Sequence, residues 1–211
     1  MTRTVNFNHA NETPPPSVLL PSDHLKWIDG RGFDVNGNPA YIFPNDTAEQ
    51  ARLDLQHHLI VFTLGGHYVA PVGNRLEQGI KVLETGCGTG VWAMDMARKY
   101  PRSQFTGTDI ISPEIVATFG RELEARGLVD VVQDHKTMLV GWGQNEIALA
   151  AAENLLAVFK SMKPQTTMAL GLGDTEYDTM VDKAMAEISE NMGLWKIQFT
   201  YGTKPAMRSH A

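Results

Sequence analysis

The feature that most constrains the fold is an apolar strand that runs into a glycine-rich turn and then into a helix. Residues 80–83 form the strand, Glu84-Thr85-Gly86-Cys87-Gly88-Thr89-Gly90 form the turn, and a helix is predicted to begin near Val91. A second apolar strand covers residues 104–108 and ends at Asp109. Strand, loop, helix and strand in this order are typical of a βαβ unit with parallel strands, so the sequence predicts an α/β fold.

The glycine loop also predicts a ligand site, because glycines let a backbone turn sharply and approach a ligand without a Cβ atom in the way. A dinucleotide loop would need a small residue at position 91, where this chain has valine. Glu84 would repel a pyrophosphate, but it would attract the sulfonium and the α-amino group of S-adenosylmethionine. A carboxylate at Asp109 can accept hydrogen bonds from both ribose hydroxyls. The predicted cofactor contacts are Glu84, Gly86, Cys87, Gly88, Gly90 and Asp109.

Two alternatives remain open at this loop. The first is a plain strand-to-helix turn in some other α/β protein. The second concerns Cys87, the only cysteine of the chain, which is either a small spacer or a reactive thiol at a helix N-terminus.

Composition excludes several classes of function. The net charge is −6 and no run of five basic residues occurs, which argues against nucleic-acid binding. One cysteine forms neither an internal disulfide nor a thiolate zinc site, and we predict no metal. No apolar run approaches 18 residues and no signal peptide is recognisable, so we expect no membrane partner and a cytoplasmic protein, with the nucleus as an alternative.

The first part of the chain predicts a flexible leader followed by a helix. Residues 1–24 are proline-rich, and residues 30–39 predict either a hairpin or an irregular lid. Asp46 and Glu49 have the spacing of a capping box, after which a helix runs to Gly65-Gly66. We expect Ala51, Leu55, Leu59 and Phe62 to form its buried stripe. His58 lies on that stripe, either as a core histidine or as the catalytic acid or base, and it is our candidate catalytic residue.

Helices and strands are also predicted after Asp109. Ser112-Pro113 begins a helix that Gly127 ends, and two further helices have apolar stripes of period 3.6. The last strand alternates apolar and polar residues. The predicted helices cover residues 112–127, 144–162 and 175–192, and the predicted strands cover residues 129–133, 166–170 and 194–201.

The chain resembles the fungal class I methyltransferases of secondary metabolism, called LaeA-like or UMTA-type. The resemblance rests on the segment from Tyr41 to His58, on the loop with Trp92-Ala93-Met94-Asp95-Met96-Ala97, on Asp109, and on Glu176-Tyr177-Asp178 and Tyr201-Gly202-Thr203-Lys204-Pro205. It implies a seven-stranded Rossmann-like sheet, S-adenosylmethionine as cofactor, S-adenosylhomocysteine as product and a small-molecule acceptor. It also implies a helical N-terminal cover over residues 25–75, a cofactor domain over residues 76–211, and further cofactor contacts from Tyr41 and Ile110.

The chain departs from that family after Asp109, where it offers three strand candidates and the family fold has five. Either the middle of the domain is lost, or it is remodelled with Asp134 near the adenine. We therefore expect an incomplete sheet of fewer than seven strands. Two hypotheses follow: a methyltransferase acting on a small molecule, and a shortened relative that has lost methyl transfer and acts as a binding partner, cyclase or isomerase. Exposed sheet edges predict a homodimer.

Overall fold

The protein is represented by a computed structural model that describes residues 3–7, 25–35, 41–109, 124–125 and 128–204. The fold mixes helices with three small sheets. The strands are β1 (Arg3–Phe7), β2 (Leu25–Ile28), β3 (Arg31–Asp34), β4 (Lys81–Thr85), β5 (Gln104–Asp109), β6 (Val129–Leu139) and β7 (Leu194–Thr203). The helices are α1 (Thr47–Leu64), α2 (Gly73–Gln78), α3 (Val91–Lys99), α4 (Glu146–Leu170) and α5 (Asp174–Glu190).

The predicted βαβ unit is confirmed. Strands β4 and β5 are parallel, with Lys81 opposite Gln104 and Thr85 opposite Thr108, and α3 connects them. The helix predicted over residues 112–127 lies almost wholly outside the described residues. Residues 124–125 are the described part of it, and they are helical. The unit brings the carboxyl ends of β4 and β5 to one edge of the sheet, which is where ligands bind in open α/β folds.

Strand β1 lies within the segment predicted as a leader, residues 1–24. Residues 3–7 pair antiparallel with β5, with Arg3 opposite Asp109 and Phe7 opposite Phe105, in the sheet order β1-β5-β4. They precede the proline-rich stretch, so no missing N–H prevents the ladder. The rest of the predicted leader lies outside the described residues.

Helix α3 packs on β4 and β5 and forms the first core with α2. Phe105 is 1% exposed, and it is buried with Ala93 and Met96 of α3 and Leu76 of α2. The ring of Trp92 meets that of Phe105 edge to face, with centroids 6.1 Å apart. This core fixes the helix against the sheet and therefore fixes the loop between them.

Strands β2 and β3 form an antiparallel hairpin, which includes the first residues of the segment predicted as a hairpin or a lid; residues 36–39 of that segment lie outside the described residues. The turn of the hairpin is Asp29-Gly30, with φ values of 50° and 73°. Positive φ at both central residues is typical of a type I′ turn, for which Asp-Gly is a preferred pair. The helical cover predicted over residues 25–75 therefore begins with a hairpin, and its first helix is α1.

Both predicted ends of α1 are confirmed, but its predicted buried stripe is wrong. The Asp46 carboxylate accepts from the Glu49 N–H at 2.9 Å, and Gly65 ends the helix in the left-handed region. Of the predicted stripe only Leu59 is buried, whereas Ala51 and Leu55 are exposed and Phe62 is 64% exposed. The buried face is polar and is formed mainly by Glu49 and Arg52.

The polar face of α1 is buried because its charges are paired. Arg52 donates to Glu49 Oε1 from Nε at 2.9 Å and from Nη2 at 2.7 Å, and Ser161 of α4 donates to Glu49 Oε2 at 2.8 Å. Arg31 of β3 donates to both Asp46 oxygens, at 2.6 and 3.0 Å. We call these five residues the buried ion network. Burial by itself would raise the pKa of Asp46, but hydrogen bonds from Arg31 and from the backbone hold that pKa below its ordinary value.

The second core lies between α1, α4 and the two-stranded sheet of β6 and β7. It contains Leu59, Met138, Val140, Ala151 and Ile197. The helix and final strand predicted over residues 175–192 and 194–201 are observed as α5 and β7.

The strand predicted over residues 166–170 is wrong, because α4 continues through Pro164 to Leu170 and ends at Gly171 in the left-handed region. Proline normally interrupts a helix, so Pro164 indicates a helix end before residue 164, where the observed helix in fact continues. After Pro164, the Thr167 hydroxyl donates to the Lys163 carbonyl at 2.9 Å.

Candidate cofactor site

The glycine loop closes tightly around the end of β5. The amides of Gly86 and Cys87 both donate to the Thr108 carbonyl, at 2.6 and 3.1 Å, and the Gly90 amide donates to the Cys87 carbonyl at 2.7 Å. The φ values of Gly86, Gly88 and Gly90 are 76°, 51° and 79°. These angles lie in the left-handed region, where L residues with a Cβ atom are strained, so the three glycines are needed by the backbone.

The space beside Gly88 is open. A Cβ atom built at this position would meet no atom of the described chain within 4 Å, so glycine is required there for its φ and not for lack of room. Helix α3 begins directly after the loop at Val91. The first N–H groups of a helix lack intrahelical partners, so they offer donors to a ligand in this space.

Two of the predicted acids lie at the strand ends beside the loop. Glu84 is half-buried in β4, opposite Gly107 in the register. Asp109 is the last residue of β5, one position beyond the carbonyl that binds the loop amides. The backbone therefore brings Glu84, Asp109 and the three glycines to one edge, as the sequence predicts.

The N-terminal helix α1 lies against this loop. The Thr89 hydroxyl donates to the Asp54 carboxylate at 2.7 Å. This bond joins the loop to the middle of α1. Asp54 was not among the predicted site residues, although its position two turns after the cap of α1 follows directly from the capping signal.

His58 does not occupy the buried position predicted for it. It is exposed, and its Nδ1 atom lies 2.6 Å from the Asp54 carbonyl. The prediction of a buried stripe through His58 fails because α1 turns its polar face inward. Its neighbour His57 faces α3 instead, with Nε2 3.3 Å from Asp95 Oδ2.

A group of three ligand-type side chains surrounds His57. Its members are His57, His67 and Asp95, and one nitrogen or oxygen atom from each lies within 4.8 Å of the other two. We call this group the His-His-Asp cluster; no sequence signal identified it. Burial lowers the pKa of His57, and the Asp95 carboxylate opposes that shift. The net lowering favours a neutral imidazole at neutral pH.

The remaining predicted contacts have different outcomes. Tyr41 is exposed, and the centroids of its ring and the Phe43 ring are 5.8 Å apart. Cys87 is half-buried within the loop. Ile110 lies outside the described residues.

Comparison with known proteins finds similarity over part of the chain. Residues 82–169 match the family described as "Methyltransferase domain", so the match begins in β4 and includes the glycine loop. No solved structure matches this chain.

Three similar proteins come from fungi. "Secondary metabolism regulator LAE1" of Cochliobolus heterostrophus is 30% identical over 95 residues, which are 44% of this chain and 31% of that protein. "Methyltransferase pytC" of Aspergillus terreus is 39% identical over 85 residues, covering 40% and 25% of the two chains. "Secondary metabolism regulator laeA" of Aspergillus flavus is 38% identical over 87 residues, covering 39% and 22%.

These matches cover less than a third of each relative, so the chain is similar to a part and not to the whole of those proteins. Among the described helices, none has the length and apolarity needed to cross a bilayer. Within the matched part, the chain is similar to fungal LaeA-like methyltransferases.

Proposed function

We propose that this protein binds S-adenosylmethionine at the edge formed by β4, β5 and the glycine loop, and that it transfers the methyl group to a small molecule. The observation that carries the proposal is the convergence of Glu84, the left-handed glycines and Asp109 at one sheet edge. The methyltransferase-domain match over residues 82–169 supports it. The names of the relatives make a secondary metabolite the favoured class of acceptor.

The residues at this edge fit the cofactor chemically. When bound, S-adenosylmethionine supplies an electrophilic methyl group on a cationic sulfonium. Glu84 places negative charge where a cation would lie, and Asp109 offers a carboxylate for two ribose hydroxyls. Within the described part of the chain, the space beside Gly88 is open, which supports a ligand at this edge. Methyl transfer needs few catalytic groups, because orientation in a dry pocket supplies about 7–11 kcal/mol of the barrier.

A base is needed only for an unactivated acceptor hydroxyl. His58 stays our proposal for that role, although its side chain is exposed and its Nδ1 lies against the Asp54 carbonyl. The remaining Nε2 would take the proton from the acceptor.

We predict that Asp109→Ala weakens binding of S-adenosylhomocysteine by roughly ten- to a hundredfold. The substitution removes a charged acceptor, and a hydrogen bond to a charged group contributes about 1.5–3 kcal/mol. Isothermal titration calorimetry on the wild type and the variant measures the difference. The matched control is Asp182→Ala, because Asp182 is an exposed aspartate on α5 with no proposed role in cofactor binding.

The control variant is expected to bind as the wild type does. Equal affinity of Asp109→Ala and the wild type would show that the ribose assignment is wrong. No binding by the wild type would remove the proposed function as a whole. Transfer of labelled methyl groups to small molecules of a fungal extract then separates an active enzyme from a protein that only binds the cofactor.

A second candidate function is that of a shortened relative without methyl transfer, acting as a binding partner or as a cyclase or isomerase. One observation favours it. In the described part of the chain, β4 is an edge of its sheet, and Leu83 within it is 64% exposed. An open edge with an exposed leucine is a surface that a second copy can cover.

We therefore predict a homodimer that is weakened by Leu83→Lys, because a lysine on an edge strand opposes pairing. Multi-angle light scattering across a concentration series measures the mass. The control is Leu149→Lys, since Leu149 is 57% exposed on α4. A wild type that stays monomeric at every concentration would contradict the prediction.

A further inference from the structure

The His-His-Asp cluster joins three separate segments of the chain. His57 lies on α1, Asp95 lies on α3, and His67 lies in the connection between α1 and α2. The rings of His57 and His67 are tilted by 32°, with centroids 5.8 Å apart. All three side chains are half-buried, so the cluster is neither a solvated surface group nor part of the apolar core.

We propose that His57, His67 and Asp95 form a binding site for one divalent transition-metal ion of the zinc class. Imidazole nitrogens and a carboxylate oxygen are ligands that zinc accepts at about 2.0–2.2 Å, so two ligands of a tetrahedral ion lie about 3.3 Å apart. His57 Nε2 and Asp95 Oδ2 already have a separation of 3.3 Å. The largest separation in the cluster is 4.8 Å or less, so the three atoms lie near the spacing that one ion needs.

A second observation points to a missing partner at this place. Nδ1 of His67 is buried, and it has no hydrogen-bond partner within the described part of the chain. Buried polar atoms in proteins are almost always satisfied, so such a nitrogen indicates a ligand, an ion or an ordered water. A metal ion would bind this nitrogen, and it would also bind the imidazole of His57 and the carboxylate of Asp95.

The ligands are oriented by neighbours, as is usual at metal sites. Trp92 Nε1 donates to the His67 carbonyl at 2.6 Å, which fixes the backbone that carries this imidazole. Arg98 Nη1 lies 3.3 Å from Asp95 Oδ1, so this exposed guanidinium contacts one carboxylate oxygen while Oδ2 faces His57. Three protein ligands leave a fourth position for water or an external ligand.

The site is independent of the proposed cofactor, because none of its three ligands belongs to the glycine loop or to the strand ends. A bound ion would join α1 to α3 and to the segment between α1 and α2. It would therefore hold α1 against the unit that carries the loop.

The test is zinc binding by the full-length chain, purified without an affinity tag and freed of metal with a chelator. Calorimetric titration with Zn²⁺ at neutral pH is expected to show one site per chain. The variants His67→Ala and Asp95→Asn are each expected to lower the affinity at least tenfold. His135→Ala is the control, since His135 is an exposed imidazole beside Asp134 on β6, and its affinity should stay within twofold of the wild type.

Cobalt provides a readout of ligand geometry. Co²⁺ bound by the wild type is expected to give the visible absorption bands of a four-coordinate ion, which should disappear in Asp95→Asn. Thermal unfolding of each metal-free variant checks that it folds, and Asp95→Asn keeps the shape of the side chain. The proposal is overturned if the wild type binds zinc no more tightly than the triple variant His57→Ala/His67→Ala/Asp95→Asn. It is also overturned if the His135→Ala control loses zinc binding. Either result would leave a hydrogen-bonded cluster only.

Discussion

Replacing Glu49 by alanine is expected to lower the free energy of unfolding by about 3–5 kcal/mol. The side chains of Glu49 and Arg52 are 2% and 6% exposed, so the substitution leaves a buried guanidinium without its carboxylate. It also removes the acceptor of the Ser161 hydroxyl, which links α1 to α4. A buried charge that has lost its partner is far more costly than a broken ion pair at the surface, because water does not replace the missing contact.

Urea denaturation followed by circular dichroism measures this effect. The control is Glu187→Ala, which removes the partner of Lys183 from an exposed pair 3.8 Å apart. A surface pair of this kind contributes about 0–1 kcal/mol, so the control should be close to the wild type. If both variants lose the same small amount of stability, the buried ion network does not have the role assigned to it.

Phe105→Ala is expected to cost a similar amount, about 3–5 kcal/mol, because it opens a cavity in the core between α3 and the sheet. The neighbouring Ala93 and Met96 are fully buried and belong to a helix that the sheet already fixes. They move little to fill the space, so most of the lost packing is not recovered. The variant should also bind the proposed cofactor more weakly, since Phe105 supports the helix that follows the loop.

Phe62→Ala is the matched control for this substitution. Phe62 is 64% exposed on α1, so its removal deletes the same atoms without opening a buried cavity. Chemical denaturation of the two variants side by side gives the difference directly. A loss of stability at position 62 as large as that at position 105 would show that the burial described for these two rings is wrong.

The βαβ unit was predictable because its signals are local. The apolar strands, the glycines and Asp109 follow one another along the chain, and each has one structural meaning in that order. The caps of α1 at Asp46 and Gly65 were predictable for the same reason. Glu84 lies close to the glycine loop because it stands near the end of its strand, two residues before Gly86.

The errors concern contacts between distant segments. The buried face of α1 depends on Arg31 and Ser161, which lie far from it in sequence, and no periodicity reveals that its charges are paired. The pairing of residues 3–7 with β5 joins segments about 100 residues apart, and no local pattern in the sequence predicts it. The exposed position of His58 has the same cause, since the apolar stripe predicted to face inward is not the buried face of α1.

The bond between Thr89 and Asp54 limits how the glycine loop can move. The loop moves away from α1 only by breaking this bond, and the first turn of α1 is held to α4 by the bond that the Ser161 hydroxyl donates to Glu49. Movement of the proposed ligand edge is therefore coupled to buried charged side chains that lie away from it. Weakening the buried ion network is expected to loosen the loop as well as the fold.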